Sequence, residues 1–109
     1  MTESVKIAVN PVIYADMPDP DVIRVENTFY MISTTMHFMP GAVILRSYNL
    51  ADWEIAGHVY DVLDDYPAAR MQNGKNIYGS GMWAASLKYY NGKFYVLHIA
   101  NDTHSSYLY

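Results

Sequence analysis

The chain has no cysteine among its 109 residues, which removes disulfide frameworks, thiolate chemistry and Cys-ligated zinc together. Basic residues are scarce as well: seven Lys and Arg stand against eleven Asp and Glu, for a net charge of -4. A nucleic-acid partner is excluded as a main role, because there is no cationic surplus to displace counterions from phosphates. No apolar run approaches the length of a bilayer span, so no membrane partner is expected. The segment Met1 to Val9 lacks a basic stretch followed by a long apolar one, so no secretory signal is visible and the cytoplasm is the default expectation. Phe and Trp are few, three and two, but Tyr reaches eleven. Tyrosine joins an apolar ring to a polar tip, which suits strands and ligand platforms. With 51% apolar and 17% charged residues, the chain has a folding composition and room for one small unit.

Strand signals dominate. Val22-Ile23-Arg24-Val25, the polar pair Glu26-Asn27 and the run Thr28 to Thr35 read as a hairpin. Met39-Pro40-Gly41 breaks the chain before a third run, Ala42 to Ser47, and Trp53 to Val59 supplies a fourth. Together these four make one antiparallel meander. The pattern restarts with Ala85 to Tyr90, the turn Asn91-Gly92, and Lys93 to Ala100, and Ser105 to Tyr109 reads as a further strand. Phe29-Tyr30 and Phe94-Tyr95 lie 65 positions apart, and aligning Ile23 with Leu87 gives the second turn one extra residue. A recurring four-stranded meander is the mark of a propeller blade; two aromatic hairpins can also look alike by chance. Between the units, Val59, Val62, Leu63 and Tyr66 have helical spacing that Pro67 ends, which predicts a short helix or helical loop. Gln72 to Gly81 reads as an exposed loop. A strand left open at Tyr109 would expose unpaired backbone groups, so the expectation is the first part of a longer protein.

The densest chemistry is Asp16-Met17-Pro18-Asp19-Pro20-Asp21. The two prolines fix their own φ and push Met17 and Asp19 toward extended geometry. Asp19 is then a carboxylate held between rigid neighbours, useful for catalysis, although Asp and Pro also cluster in ordinary turns. Other patterns fail for want of context. Gly79 to Ala84 fits G-x-G-x-x-A without the strand and helix of a dinucleotide site. Asp102, His104 and Ser105 are triad residue types too close in sequence to converge as one. Asp102 and His104 can share a strand face, but two ligands make a weak metal site.

Asn10-Pro11-Val12, Pro18-Asp19-Pro20-Asp21-Val22-Ile23, Phe29 to Thr34, Pro40-Gly41 and Ser47 through Glu54 resemble, in order and spacing, the amino-terminal blade of glycoside hydrolase family 43. Gly81-Met82-Trp83-Ala84 looks like that family's Gly-x-Trp-Ala entry to a second blade, and Asn91 to Tyr95 like its next hairpin. The resemblance implies an all-β fold, a five-bladed β-propeller in the whole protein, with the first blade and most of the second here: blade one at about 10–60, a linking loop at about 61–81 and partial blade two at about 82–109. It implies an inverting glycosidase that removes xylose or arabinose units from plant cell-wall glycans by means of three carboxylates. The general base maps onto Asp19, with Asp21 and the weaker Asp16 as rivals. No carboxylate here matches the acid or its tuning residue; Asp61, Asp64, Asp65 and Asp102 lack the flanks. Trp83 maps onto an aromatic wall beside the sugar or is a core residue, while Met36 and His37 fall where the sugar pocket forms. Here the chain departs from the xylosidase-like pattern, which leaves the sugar open. No cofactor is required; calcium near the axis is an option in the whole protein, without an identifiable ligand set in this chain.

Two blades leave inter-blade faces open, and repeat units stabilise one another through those faces. The 109-residue chain alone is therefore expected to self-associate and to be inactive. A different class of protein fits the same residues, a non-catalytic carbohydrate-binding module that completes its propeller by oligomerising.

Overall fold

The computed structural model describes Val5 and residues 7–109; the reading of Met1 to Val9 falls partly outside these residues. Seven strands form two antiparallel sheets. The first has β1 (Asp21–Val25), β2 (Thr28–Ser33), β3 (Gly41–Ser47) and β4 (Glu54–Tyr60) in chain order, and the second has β5 (Met82–Tyr90), β6 (Lys93–Ala100) and β7 (Ser105–Leu108). No helix of the described residues is long and apolar enough to cross a membrane. Each sheet is a meander, which is the blade pattern expected of the all-β reading.

Both hairpins turn in two residues. Val25 pairs with Thr28 around Glu26-Asn27, and Tyr90 pairs with Lys93 around Asn91-Gly92. Asn91 and Gly92 both have positive φ, 50° and 81°, the twist that a tight hairpin demands and that this pair tolerates. Phe29 faces Arg24 and Phe94 faces Tyr89, so the offset of 65 holds through both strands. The extra turn residue expected from the alignment with Leu87 is absent. Val22, not Ile23, is the counterpart of Leu87.

The first sheet is covered on both faces. On one, Met31, Val43 and Leu45 are buried with Ile13, Met17 and Trp53 packed over them. On the other, Ile32 and Ala42 join Met82, Leu87, Val96 and Ala100 of the second sheet, with Tyr60 and Leu63, in the main core. Direct cross-strand pairing of Met31 with Leu45 and Ile32 with Ile44 sets the two faces. The second sheet buries only the face bearing Leu87, Val96, His98 and Ala100; Leu97 and Ile99 point to the other and are about half exposed.

Val59 to Tyr66 is not helical. β4 runs through Tyr60, paired with Gly41, and draws Val59 into the ladder. Leu63 is buried as a separate anchor. A tight turn then places the Tyr66 N–H on the Asp64 carbonyl at 3.2 Å, and the Tyr66 carbonyl accepts from Arg70 N–H at 3.3 Å. Pro67 opens these turns, where its missing N–H costs nothing. The loop beyond is exposed from Met71 to Asn76, whereas Ile77 is 1% accessible and tucked into the protein.

Two contacts at the end of the core have measurable consequences. The hydroxyl end of the Tyr60 ring lies against Gly41, so a Cβ at position 41 would collide with it, whereas the Cβ of an alanine at Gly57 meets nothing within 4 Å. Gly41→Ala is expected to cost about 1–3 kcal/mol through overpacking, and Gly57→Ala less than about 0.5 kcal/mol, read from urea unfolding of the whole protein. His98 is buried and stacked on Tyr107, with ring centroids 5.3 Å apart, and packs near Tyr60 and Tyr109. Burial depresses its pKa below the ordinary 6.5, opposed more weakly by its bond to the Ile99 carbonyl. Below about pH 6.5 the unfolded chain therefore binds the proton that folded His98 resists, and stability falls as pH falls. The unfolding midpoint should drop between pH 7.5 and pH 5, and His98→Phe, which keeps the stack without the titration, should shrink that drop; an equal drop in both proteins rules out His98 as its source.

Candidate active site

The acidic segment reaches its position by docking on the end of β2. Ser33 Oγ and the Thr34 N–H both donate to the Pro18 carbonyl, at 2.7 and 3.1 Å. Thr34 Oγ1 donates to Asp19 Oδ2 at 3.3 Å. Asp19 itself is exposed, with φ of 50°. The extended geometry expected from Pro20 is therefore not adopted. Two donors on the Pro18 carbonyl fix the chain there, and Asp19 turns into the left-handed region that aspartate tolerates better than most residues. The result is a solvent-facing carboxylate on a backbone tied down on one side.

Asp21 has a different task. It is the first residue of β1, and its Oδ2 accepts the Leu87 N–H of β5 at 2.7 Å, with Lys88 Nζ at 4.0 Å. This carboxylate joins the two sheets through a backbone donor, and Leu87 is 2% accessible. Asp16 is exposed on the segment leading to Pro18. Of the three acidic candidates, only Asp19 combines exposure with a hydrogen-bonded mount.

The bridge between the sheets brings Trp83 to the same place. Thr35, just beyond β2, pairs with Met82 at the start of β5 in an isolated antiparallel bridge. Thr34, which holds Asp19, and Trp83 are thus the residues flanking one bridge. Met82 pairs with Ala100 and Ala85 with His98, so Trp83 and Ala84 together face Ile99. This is a β-bulge, a device that re-aims a side chain. Trp83 keeps 39% of its surface exposed, which is not the state of a core residue, and its Nε1 donates to the Gly79 carbonyl at 3.4 Å.

His37 meets the same glycine from the other side. Its Nδ1 accepts the Gly79 N–H at 2.9 Å. A neutral ring that accepts at Nδ1 carries its proton on Nε2. His37 is therefore engaged by the loop, with Nε2 as its remaining donor. Met36 is half-buried, and its carbonyl oxygen stands 3.4 Å from where a Cβ on Gly81 would be. The structure accordingly gathers Asp19, Trp83, His37 and the Met36 backbone around the end of β2 and the start of β5.

Three other aspartates serve the loops. Asp65 pairs with Arg70 at 2.6 Å, Asp64 accepts the Asp65 N–H, and Asp102 accepts the Tyr66 hydroxyl. Asp102 and His104 lie in the turn between β6 and β7, not on one strand, because β7 begins at Ser105 and His104 has φ of 52°. Among the described residues no three His, Asp or Glu side chains gather as a metal-holding group. Sequence reasoning missed Ser33 and Thr34 as the mount of Asp19, and the bulge that turns Trp83. A hydroxyl pair closing a strand was the one available hint.

The sequence profile described as Glycosyl hydrolases family 43 matches residues 8–109. A beta-xylosidase of Formosa agariphila is 37% identical over 91 residues, 84% of this chain and 15% of its own length. A non-reducing end alpha-L-arabinofuranosidase of Bacteroides ovatus is 33% identical over 81% of this chain and 16% of its own. Among solved structures, a bifunctional GH43-CE protein of Bacteroides eggerthii superposes with a TM-score of 0.87 at 45% identity, covering 97% of this chain and 14% of that one. A GH43 glycoside hydrolase engineered to display both endo-xylanase and exo-arabinofuranosidase activity gives 0.80 at 32% identity, over 91% and 19%. The chain thus spans about 15% of the length of the curated relatives it matches.

The geometry separates the two central carboxylates by experiment. Asp21→Ala is expected to lower stability by about 1–3 kcal/mol, because it orphans the Leu87 N–H. Asp21→Asn, whose amide oxygen still accepts, should lose clearly less in the same urea titration of the whole protein.

Proposed function

The chain belongs to glycosyl hydrolases family 43, and from that premise we propose that the whole protein hydrolyses pentose glycosides, releasing xylose or arabinose units, with Asp19 as the general base. The observation that carries this reading is the mount of Asp19. An exposed carboxylate is fixed by Thr34, beside the bridge that Trp83 also flanks. Hydrolysis with inversion needs an ionised carboxylate that holds a water on one face of the sugar, while an acid ~6.5–9.5 Å away protonates the leaving oxygen on the other. Thr34 Oγ1 occupies one oxygen of Asp19 and sets the plane of the group. The other oxygen takes a proton from the attacking water as the bond to the anomeric carbon forms.

Trp83 supports the same reading from the side of the substrate. An indole face packs against the C–H face of a pentose ring while its hydroxyls find polar partners. The Nε2–H of His37 is one such partner, and the bulge holds the indole turned toward solvent. The acid and the carboxylate that tunes it are supplied from outside these 109 residues. The names of the relatives, a beta-xylosidase and an alpha-L-arabinofuranosidase, favour a pentose and leave its identity to assay.

In the whole protein, Asp19→Asn is expected to lower kcat on aryl β-xylosides or α-L-arabinofuranosides by about 10²–10⁴-fold, with KM little changed. Asp21→Asn should leave kcat within about fivefold, since its partner is a backbone donor in the sheet joint. Loss of turnover in Asp21→Asn together with retention in Asp19→Asn would reassign the base.

A further inference from the structure

Tyr78 is the most solvent-exposed aromatic of the linking loop, at 77% accessible, yet it is not on a free tip. Its neighbour Ile77 is buried, and the Ile77 carbonyl accepts from Ser80 N–H at 2.8 Å. Its own N–H donates to Asn76 Oδ1 at 3.0 Å. On the other side, Gly79 is clamped at both its polar groups, N–H to His37 and carbonyl to Trp83. The Tyr78 ring stacks on His37 with centroids 4.4 Å apart and planes 28° from parallel. A large aromatic face is thus held in fixed orientation while most of it stays in water. Burial does not explain such an arrangement, since holding an exposed apolar ring gives little hydrophobic gain.

Its place relative to the proposed chemistry is set by the contacts. Asp19 is held at Thr34, the Thr35–Met82 bridge follows, Trp83 comes next, and Gly79 links Trp83 to Tyr78. Tyr78 is thus tied to the site twice, through Gly79, whose carbonyl accepts from Trp83, and through the stack on His37. From this arrangement we infer that Tyr78 is a sugar platform for the ring adjoining the one that Trp83 flanks, so that it sets preference for pentose oligosaccharides over single-sugar glycosides. The inference rests on the pentosidase reading above. His37 is then a positioning residue for this platform as well as a hydroxyl partner, because its ring backs the Tyr78 face.

The test is a comparison of substrates in the whole protein. Tyr78→Ala is expected to raise KM for xylotriose or arabinotriose about tenfold, as loss of one aromatic stack implies, and to leave kcat/KM on the matching methyl glycoside, whose aglycone is too small to reach the platform, within about twofold. Tyr78→Phe, which keeps the ring and drops the hydroxyl, should behave as the unaltered protein does. Equal losses on trisaccharide and methyl glycoside, or no loss on either, overturn the platform while leaving Asp19 in place. If the unaltered protein cleaves neither substrate, the pentosidase reading fails, and calorimetric binding of xylotriose and arabinotriose decides the platform separately: about tenfold weaker binding by Tyr78→Ala supports it, and unchanged or undetectable binding of both sugars by the unaltered protein and the variant overturns it.

Discussion

The joint between the two sheets governs the rest of this structure. One backbone bridge, Thr35 to Met82, and one carboxylate bond, Asp21 to the Leu87 N–H, fix the end of β2 and the start of β1 against β5. The apolar faces of both sheets close behind this joint, with Ile32 and Ala42 on one side and Met82, Leu87 and Val96 on the other. Hydrophobic contact alone is non-directional and tolerates sliding. A strand bridge and a bond from a buried backbone donor do not, so these two polar contacts set the register in which the sheets meet. That register also places Asp19 and Trp83, since Trp83 follows Met82 and Thr34, which holds Asp19, precedes Thr35.

Two carboxylates two residues apart have been given opposite work. Asp21 sits inside the strand and is spent on the fold, where it satisfies a buried N–H that water cannot reach. Asp19 sits before the strand, where the Pro18 carbonyl takes both local donors and the chain turns left-handed, leaving the carboxylate outside. Pre-organisation of this kind is worth more to a reaction than proximity of charge alone, because the group does not have to be ordered when the substrate arrives. The same logic extends to the other side of the site, where Gly79 is gripped by His37 and Trp83 and the linking loop becomes part of a rigid rim.

Most strands were legible because their signals are local. Runs such as Phe29-Tyr30-Met31-Ile32 and Phe94-Tyr95-Val96-Leu97, closed by Glu26-Asn27 and Asn91-Gly92, carry their hairpins within a dozen residues. The order of short motifs also pointed to the family, and to Asp19 within it. What was not legible depends on partners far along the chain. The period of Val59, Val62, Leu63 and Tyr66 resembles a helix, but Gly41 claims Tyr60 for the ladder. Pro20 argues for an extended Asp19, but Ser33 and Thr34 decide otherwise. The bulge at Trp83 and Ala84 exists only against Ile99, and the burial of Ile77 in a polar loop exists only against the closed core.

A general base at Asp19 activates a water and does not attack the sugar itself, and the stereochemistry of the first product reports that choice. Proton NMR of the proposed hydrolysis of an aryl pentoside by the whole protein, recorded before mutarotation, should show the released sugar with the opposite anomeric configuration to the substrate. A first product that retains the substrate's configuration would mean a covalent glycosyl intermediate, and would contradict the role assigned to Asp19.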